Sequence, residues 1–129
     1  MPLARFDMIK GRKPEEIEKI MDITQNAVSN NFGVVKADRY QIVTQHEPYE
    51  MNVMDTGLGI KRSNKVVIIS VTSRPRKKED LQNFYQEVTK NLDEAGLVKP
   101  NDLMINFTIN NDADWSFGLG KAQFLTGEL

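Results

Sequence analysis

The sequence has 129 residues, 40% of them hydrophobic, which is the size of one ordinary domain with a modest core. Its 17 basic and 18 acidic side chains give a formal net charge of −1 without a long block of either sign, so we expect no nucleic-acid or membrane partner. Cysteine is absent and histidine occurs once, which excludes disulfides and thiolate nucleophiles and argues against a zinc site or a Ser-His-Asp triad. No apolar run near the N-terminus is long enough for a signal sequence or a membrane span, and we expect a cytoplasmic protein.

The first part of the chain predicts a strand, a helix and a strand. Residues 3–9 alternate between apolar and charged side chains, which indicates a half-buried strand that opens at Pro2. Pro14, followed by two glutamates, favours the start of an amphipathic helix, and Gly33 ends it. Residues 40–45 alternate again and predict the second strand.

The same order of elements is predicted a second time. Residues 66–71 are a nearly unbroken β-branched run, typical of a central strand. An amphipathic helix stopped by Gly96 follows, and residues 103–109 supply the closing strand. Its apolar stripe consists of Leu81, Phe84, Tyr85, Val88, Leu92 and Ala95. The turns after the two helices, residues 33–36 and 96–99, have equivalent sequences, which indicates a duplicated module.

We therefore expect one α+β domain over residues 1–129, with βαβ units at about 2–46 and 65–109 and a C-terminal segment at 110–129. Right-handed crossovers would pair parallel strands and place both helices on one face of a four-stranded mixed sheet. The opposite face, expected to be apolar, then needs another subunit to cover it. The sequence thus predicts an oligomer.

Pro2 is the first candidate for chemistry. Methionine before a small residue such as proline is a typical substrate for aminopeptidase removal, and removal of Met1 leaves the secondary amine of Pro2 at the start of a strand. An α-amino group titrates near neutrality, at roughly 7.7–8.0 in model peptides, so burial or a neighbouring charge can set it as an acid or a base. The alternative is that Met-Pro is simply how this chain begins. As a terminal residue, Pro2 is expected to contribute little packing.

The tripeptide Arg74-Pro75-Arg76 is the second candidate and lies between the β-branched strand and the second helix. In an extended segment residues i and i+2 point the same way, so both guanidinium groups can reach one anion, while Pro75 stiffens the spacing. A carboxylate is the obvious ligand, because the planar guanidinium forms two charge-assisted hydrogen bonds with it. The alternative is a solvated basic turn that continues into Lys77 and Lys78.

Three further segments complete the list of candidates before the C-terminus. Asp38 precedes the second strand, where it is either a turn residue that accepts backbone hydrogen bonds or a group that orients a water or a substrate. His46 is expected to be a strand-end residue with a satisfied ring, and we assign it no role. Residues 55–59 are only faintly similar to a phosphate loop, because no lysine-serine pair follows them, and we interpret them as a tight loop.

The C-terminal segment combines aromatic residues with glycine-containing turns. Trp115, Phe117 and Phe124 either belong to the core or form the wall of an apolar pocket. The segments at 47–64 and 110–129 are both candidates to wrap a neighbouring subunit.

Short sequence matches occur in the same order along almost the whole chain. They are Pro2-Leu3 with Phe6-Asp7 and Gly11-Arg12, Asp38-Arg39-Tyr40-Gln41-Ile42-Val43 with Gln45-His46, Asp55-Thr56-Gly57-Leu58-Gly59, Ser73-Arg74-Pro75-Arg76, Asp114-Trp115-Ser116-Phe117-Gly118 and Phe124-Leu125-Thr126-Gly127. Together they resemble the tautomerase superfamily, and within it the malonate semialdehyde decarboxylase group. An ordered set of this kind is far more specific than any single motif.

The resemblance implies the tautomerase fold, also that of macrophage migration inhibitory factor, and a homotrimer with each N-terminal proline near a subunit boundary. It implies that Pro2 is the catalytic amine, that Arg74 and Arg76 bind the substrate carboxylate as part of the catalytic set, and that Asp38 assists a water or the substrate. The implied apolar wall consists of Trp115, Phe117, Phe124 and Leu129. No metal or cofactor is implied.

The leading hypothesis is a cofactor-independent enzyme that acts on a small oxo-carboxylate, with decarboxylation of malonate semialdehyde as the first reaction to test. A protonated Pro2 would polarise the carbonyl that receives the electrons of the departing carboxylate. Two alternatives within the enzyme class are a keto-enol tautomerase of phenylpyruvate type and a hydratase. A third, from another class, is a non-catalytic trimeric interaction protein that kept the fold.

Overall fold

The structure, a computed structural model, describes residues 1–129 and contains four strands and two long helices. The strands are β1 (Leu3–Ile9), β2 (Tyr40–His46), β3 (Val67–Ser73) and β4 (Leu103–Ile109). The helices are α1 (Pro14–Phe32), α2 (Lys78–Glu94) and the short α3 (Gln123–Thr126). Three single turns of 3₁₀ helix lie in the connections, at Pro48–Glu50, Pro100–Asp102 and Asp112–Asp114. None of the helices combines the length and the apolar composition that crossing a membrane requires.

The four strands form one mixed sheet in the order β2-β1-β3-β4. The β1–β2 and β3–β4 pairs are parallel, and each is joined through a long helix. The central β1–β3 pair is antiparallel and connects the two βαβ units. The predicted α+β fold, with two tandem βαβ units and a four-stranded mixed sheet, is therefore confirmed.

The core lies between one face of the sheet and the two long helices. Strand alternation places Phe6 and Met8 of β1 on this face with no exposed surface, and Ile69 of β3 packs beside them. From the helices, Ile20 of α1 and Phe84 of α2 close the layer, also fully buried. Each such side chain contributes about 1.5–3 kcal/mol relative to leaving it in water. Ala27, Val28, Val67, Val71, Val88, Leu92 and Val98 belong to the same cluster.

Local signals define the ends of the first long helix. Pro14 occupies its first position, and the backbone N–H of Lys13 donates to the Glu16 carboxylate over 3.0 Å. At the other end Gly33 adopts the left-handed conformation, at φ 63°, and its N–H donates to the carbonyl oxygen of Ser29. Glycine adopts this conformation without the steric cost that other residues meet. The predicted boundaries of this helix are confirmed.

The opposite face of the sheet carries no helix and is mixed in character. Arg5 and Thr44 are exposed there, next to the apolar Ile42 and Met104, which are 42% and 40% exposed. The expectation of an apolar face is wrong in this respect, because Arg5, Asp7 and Thr44 occupy outward positions of β1 and β2 beside the apolar Ile42. The exposed apolar residues on the strands are Tyr40, Ile42, Met104 and Ile109.

Candidate active site

The sheet topology brings three predicted site segments to one edge. Because β1 and β3 are antiparallel, Leu3 lies opposite Thr72, so the chain start meets the segment that leaves β3 toward Arg74. Because β1 and β2 are parallel, Leu3 also lies opposite Tyr40, which brings Asp38 to the same edge. The pairing of the strands therefore brings the N-terminus, Asp38 and the two arginines close together.

The N-terminal amine contacts Asp38. The α-ammonium group of Met1 donates to Oδ2 of Asp38, whose side chain is only 8% exposed. The backbone of Asp38 is fixed as well, since its N–H donates to the carbonyl oxygen of Val35 and its own carbonyl accepts from Gln25. Asp38 therefore lies in the turn before β2, as one of the two interpretations had it, and its side chain is the acidic partner of the terminal amine.

The electrostatic surroundings of this amine lower its pKa. Burial makes the largest contribution and lowers the pKa of the Met1 amine below its ordinary value of 8.0. Asp38 opposes this through its hydrogen bond and its charge, whereas Arg76 and Arg74 lower the pKa further. The next residue, Pro2, is buried. The expectation that Pro2 contributes little packing is therefore wrong, because the start of β1 is covered rather than frayed.

Arg74 is held by a carboxylate and an aromatic ring. Its Nε lies 2.8 Å from Oδ1 of Asp112 and its Nη2 lies 3.1 Å from Oδ2, so the two planar groups meet through two contacts. The guanidinium carbon also lies 4.6 Å from the centre of the Phe124 ring. Arg74 is therefore fixed in direction, although its side chain is 39% exposed.

Arg76 is anchored on the strand and on the first helix. Its Nε donates to Oγ of Ser73 over 2.9 Å, and its Nη1 lies 3.4 Å from the carbonyl oxygen of Phe32 at the end of α1. The guanidinium also lies over the Phe32 ring, 5.0 Å from its centre. Burial, and then the charge of Arg74, lower the pKa of Arg76 from its ordinary value. These contacts exclude the alternative of a freely solvated basic turn.

The C-terminal aromatic residues stack beside these arginines. Trp115 and Phe117 are nearly parallel, with ring centres 5.5 Å apart, and Phe117 also stacks on Tyr40 at 5.7 Å. Phe124 meets Phe117 edge-on at 5.5 Å. Leu129 lies at the chain end, is 64% exposed and bonds through its backbone N–H to Gln123. The single chain therefore brings three of the four expected apolar residues together and leaves Leu129 outside the ring cluster.

A cleft of about 630 Å³ opens beside Arg74 and Arg76. Asp112 and Leu125 contribute to its wall, so the C-terminal segment forms one side of it. Because both guanidinium groups border this space, it has the charge and the size to receive a small carboxylate.

Several side chains of the site were missed by the sequence interpretation. Asp112 lies in a polar stretch without periodicity, and nothing in its neighbours indicates that it pairs with Arg74. Ser73 directly precedes Arg74, yet its hydroxyl was not recognised as the partner of Arg76. Phe32 was assigned to a helix, and its second role, as the surface under Arg76, follows only from the packing of α1 against β3.

Two segments outside the site agree with their assignments. The ring of His46 is satisfied, because its Nε2 lies 2.7 Å from Oδ1 of Asp7. The segment at 55–59 is a tight loop in which Asp55 accepts hydrogen bonds from the backbone N–H groups of Gly57 and Ile60. These backbone donors lower the pKa of Asp55, that of Gly57 most.

Comparisons with known proteins agree with this arrangement. The family model described as "Tautomerase enzyme" matches residues 38–118. The probable tautomerase YrdN of Bacillus subtilis (strain 168) is 45% identical over 129 residues, with all of both chains covered. A malonate semialdehyde decarboxylase of solved structure shares 45% identity at a TM-score of 0.95, covering 98% of each chain. The FG41 malonate semialdehyde decarboxylase inhibited by 3-bromopropiolate shares 38% identity at a TM-score of 0.94, covering 98% of this chain and 97% of the other.

These relatives span the entire chain, and their structures superimpose on both βαβ units. The resemblance seen in the ordered sequence motifs is thereby confirmed, and enzymes are favoured over a non-catalytic interaction protein. The chain belongs to the tautomerase family and is an enzyme of the tautomerase superfamily, similar to its malonate semialdehyde decarboxylases.

Proposed function

We propose that this chain, once Met1 is removed, decarboxylates a small 3-oxo carboxylate, with malonate semialdehyde as the first substrate. The observation that carries the proposal is the Met1 amine beside Pro2, whose charged neighbours are Asp38, Arg76 and Arg74; these would surround the Pro2 amine after Met1 is removed. The solved relative at 45% identity, for which decarboxylase and hydratase activities are described, supports the choice of reaction. The Pro2 amine would be the acid-base group, and no cofactor is needed.

Arg74 and Arg76 are proposed to bind the substrate carboxylate. Asp112 occupies Nε and Nη2 of Arg74, while Ser73 and Phe32 occupy Nε and Nη1 of Arg76. One amino group of each guanidinium, Nη1 of Arg74 and Nη2 of Arg76, is left without a protein acceptor. These two groups are the donors available to a carboxylate in the cleft.

In the proposed reaction the carbon–carbon bond to the carboxylate breaks and its electron pair moves toward the carbonyl. The protonated Pro2 amine donates to the carbonyl oxygen and stabilises the charge that develops there. Carbon dioxide leaves, and the resulting enol takes up a proton at carbon to give acetaldehyde. Asp38 would favour the protonated form, because its charge and hydrogen bond act on the Met1 amine against the lowering of its pKa by burial, and the Pro2 amine would meet the same carboxylate.

A keto-enol tautomerase of phenylpyruvate type is the second candidate. Burial and the two arginines lower the pKa of the terminal amine, which favours a neutral amine that acts as a general base. A base at this position would remove a proton from the carbon next to the oxo group and return it elsewhere on the same substrate. A hydratase is the remaining alternative, in which Asp38 would orient the attacking water.

The assembly is proposed to be a homotrimer. In the single chain the open face of the sheet exposes Ile42 and Met104, and Leu129 lies away from the aromatic cluster. Neighbouring subunits that cover this face would bury these apolar side chains and would supply the missing part of the pocket wall.

The deciding experiment compares two reactions on protein whose mass shows that Met1 is absent. We expect release of carbon dioxide from malonate semialdehyde, and little acceleration of phenylpyruvate tautomerisation. The Arg74→Ala variant is the control, because it removes a side chain proposed to bind the substrate carboxylate and must therefore lose the activity. Rapid tautomerisation without decarboxylation would contradict the proposal and establish the second candidate. Slow reaction of both substrates would contradict both.

A further inference from the structure

The fold contains a second arginine site at the opposite end of the sheet. Arg76 follows the end of β3 at Ser73 by three residues, and Arg12 follows the end of β1 at Ile9 by the same number. Since β1 and β3 are antiparallel neighbours, a local two-fold axis between them exchanges the two arginines. Arg12 is therefore the counterpart of Arg76 in the first βαβ unit.

The contacts of the two arginines are similar, because each reaches a backbone carbonyl near the end of a long helix. Arg76 reaches the carbonyl oxygen of Phe32, where α1 ends, and Arg12 reaches that of Leu97, just beyond α2, each at 3.4 Å. Arg12 also donates to the carbonyl oxygen of Lys65 over 2.7 Å. Lys65 precedes β3 by two residues, as Met1 precedes β1. Met1 carries the free terminal amine in the first site. At the equivalent position of the second site, Lys65 lies within the chain and its nitrogen is part of a peptide bond.

This second site keeps the cation but has no amine to act as an acid or base. Arg12 is only 7% exposed, and its Nη1 is buried without a hydrogen-bond partner in the protein. Leaving such a donor unpaired is unfavourable, and more so when the group is charged. Native structures rarely leave a buried donor without an acceptor, so a water molecule or an anion beside the guanidinium is expected to supply one here.

The two carboxylates that act on Arg12 are already bound elsewhere. Asp102 accepts from the backbone N–H and the hydroxyl of Ser63, over 2.7 and 2.6 Å. Glu16 accepts from the backbone N–H of Lys13 at the start of α1. Both are electrostatic neighbours of Arg12, yet neither pairs with its guanidinium.

Arg12 borders a cavity of about 800 Å³ with an excess of basic residues. Five basic and three acidic side chains line it, which leaves two positive charges unbalanced. Lys61, Lys65 and Lys99 are exposed and form no ion pair in the structure. Flexible ammonium groups around a fixed guanidinium are an arrangement that binds multiply charged oxygen anions.

We propose that this cavity binds a small oxyanion with two negative charges, a phosphate or a dicarboxylate, through Arg12 and the three lysines. The site is non-catalytic and separate from the cleft at Arg74 and Arg76. It is independent of the reaction proposed above, because no residue of the amine site contributes to it.

Calorimetric titration of the processed enzyme with inorganic phosphate, and then with malonate, tests the proposal. Both ligands are also titrated into Arg74→Ala, so that the cleft at Arg74 and Arg76 does not contribute. In that background we expect the Lys61→Ala/Lys99→Ala double variant to bind phosphate about tenfold more weakly, since it loses two of the four cations. Both lysines are exposed, so this variant should fold normally. Arg74→Ala should bind phosphate as the unmodified protein does, and Lys19→Ala, an exposed lysine outside the cavity, serves as the matched control. Arg12→Met should abolish binding where its circular dichroism remains native.

NMR spectra of the backbone amides, recorded with and without phosphate, show where the ligand binds. Phosphate should shift the backbone signals of Ser63, Lys65 and Gly96 and leave those of Arg74 and Arg76 in place. Absence of binding, equal binding by the double lysine variant, or loss of binding in Arg74→Ala alone would each overturn the assignment. If Arg12→Met does not fold, the lysine variants decide the question.

Discussion

Arg74 and Asp112 form an ion pair with two contacts, 2.8 Å from Nε to Oδ1 and 3.1 Å from Nη2 to Oδ2. Asp112 comes from the C-terminal segment, whereas Arg74 follows the central strand β3. The pair therefore fastens the segment that carries the aromatic residues to the edge of the sheet. It also sets which edge of the Arg74 guanidinium remains for a substrate.

We predict that Asp112→Ala raises the KM for the oxo-acid substrate about tenfold, or about 1.4 kcal/mol. Without its carboxylate partner Arg74 samples other rotamers, while kcat changes little because Asp112 does not touch the reacting atoms. Stability should hardly change, since the pair is partly exposed, at 39% and 43%. Steady-state kinetics checks this, with Glu47→Ala, which breaks the exposed pair with Lys10, as the control. An unchanged KM would exclude the positioning role.

Arg74→Ala and Arg76→Ala should each lower kcat/KM. The expected loss of transition-state stabilisation is about 2–5 kcal/mol, the range for removing one partner of a desolvated charge pair. The two differ in their effect on folding. Arg76 bonds to Ser73 and Phe32, so its loss should lower the melting temperature, whereas the more exposed Arg74 should not. Kinetics together with thermal unfolding separates the effects. Normal turnover by both variants would show that the carboxylate binds elsewhere.

Most of the fold could be predicted because its signals are local. Apolar alternation defined β1 with its observed bounds, and Pro14 and Gly33 marked the ends of α1. The β-branched run at 66–71 predicted β3, although the strand extends to Ser73, where its pairing with β4 continues. Periodicity and end signals act within a few residues, which is why a single sequence reveals them.

Less of the site could be predicted, because its contacts join residues that are distant in sequence. The roles expected for Pro2, Asp38 and the two arginines came from resemblance to a family and remain predictions. Asp112 and Arg74 are 38 positions apart, and no local pattern connects them. The burial of Pro2 and the mixed character of the open sheet face likewise depend on packing between elements. Such features follow from the assembled sheet and not from any one segment.

The pH profile should respond to Asp38 in a defined direction. The pKa of the Met1 amine is lowered from 8.0, and Asp38 is the group that opposes the lowering; we expect the same directions for the Pro2 amine once Met1 is removed. A general acid is competent below its pKa, so decarboxylase activity should fall as pH rises through that lowered value. Asp38→Asn removes the opposing charge and should move this fall to lower pH. Profiles of kcat/KM, with nitrogen-15 titration of the proline amine, check the shift, and movement to higher pH would contradict it.

The open face of the sheet should mediate assembly. Sedimentation of the processed protein is expected to give three times the chain mass of 14.7 kDa. Ile42→Glu places a charge at an apolar position that is 42% exposed in the single chain and should dissociate the trimer. Lys90→Glu on the outer surface of α2 is the control and should leave the mass unchanged. A monomer for the unmodified protein, or a trimer that tolerates Ile42→Glu, would contradict the proposed interface.

The Pro2 amine should be the group on which activity depends most directly. Pro2→Ala keeps an α-amine after removal of Met1 but makes it primary, with different basicity and a freer backbone. Activity should fall substantially. Because Pro2 is buried, the variant also loses packing at the start of β1, so kinetics must be read beside the thermal unfolding of the same sample. A decrease in activity at an unchanged melting temperature identifies a chemical effect.

Retention of Met1 should be more damaging than any substitution of Pro2. The nitrogen of Pro2 then lies in a tertiary amide, which has no basicity, and it can neither donate nor accept a proton. In addition, the amine of Met1 occupies the Asp38 carboxylate, so the residue proposed to assist the substrate is engaged as well. Circular dichroism of the same preparation separates this chemical loss from unfolding. Mass spectrometry of each preparation, followed by assay on malonate semialdehyde and phenylpyruvate, provides the measurement: full activity in protein that carries Met1 would remove the amine from the mechanism.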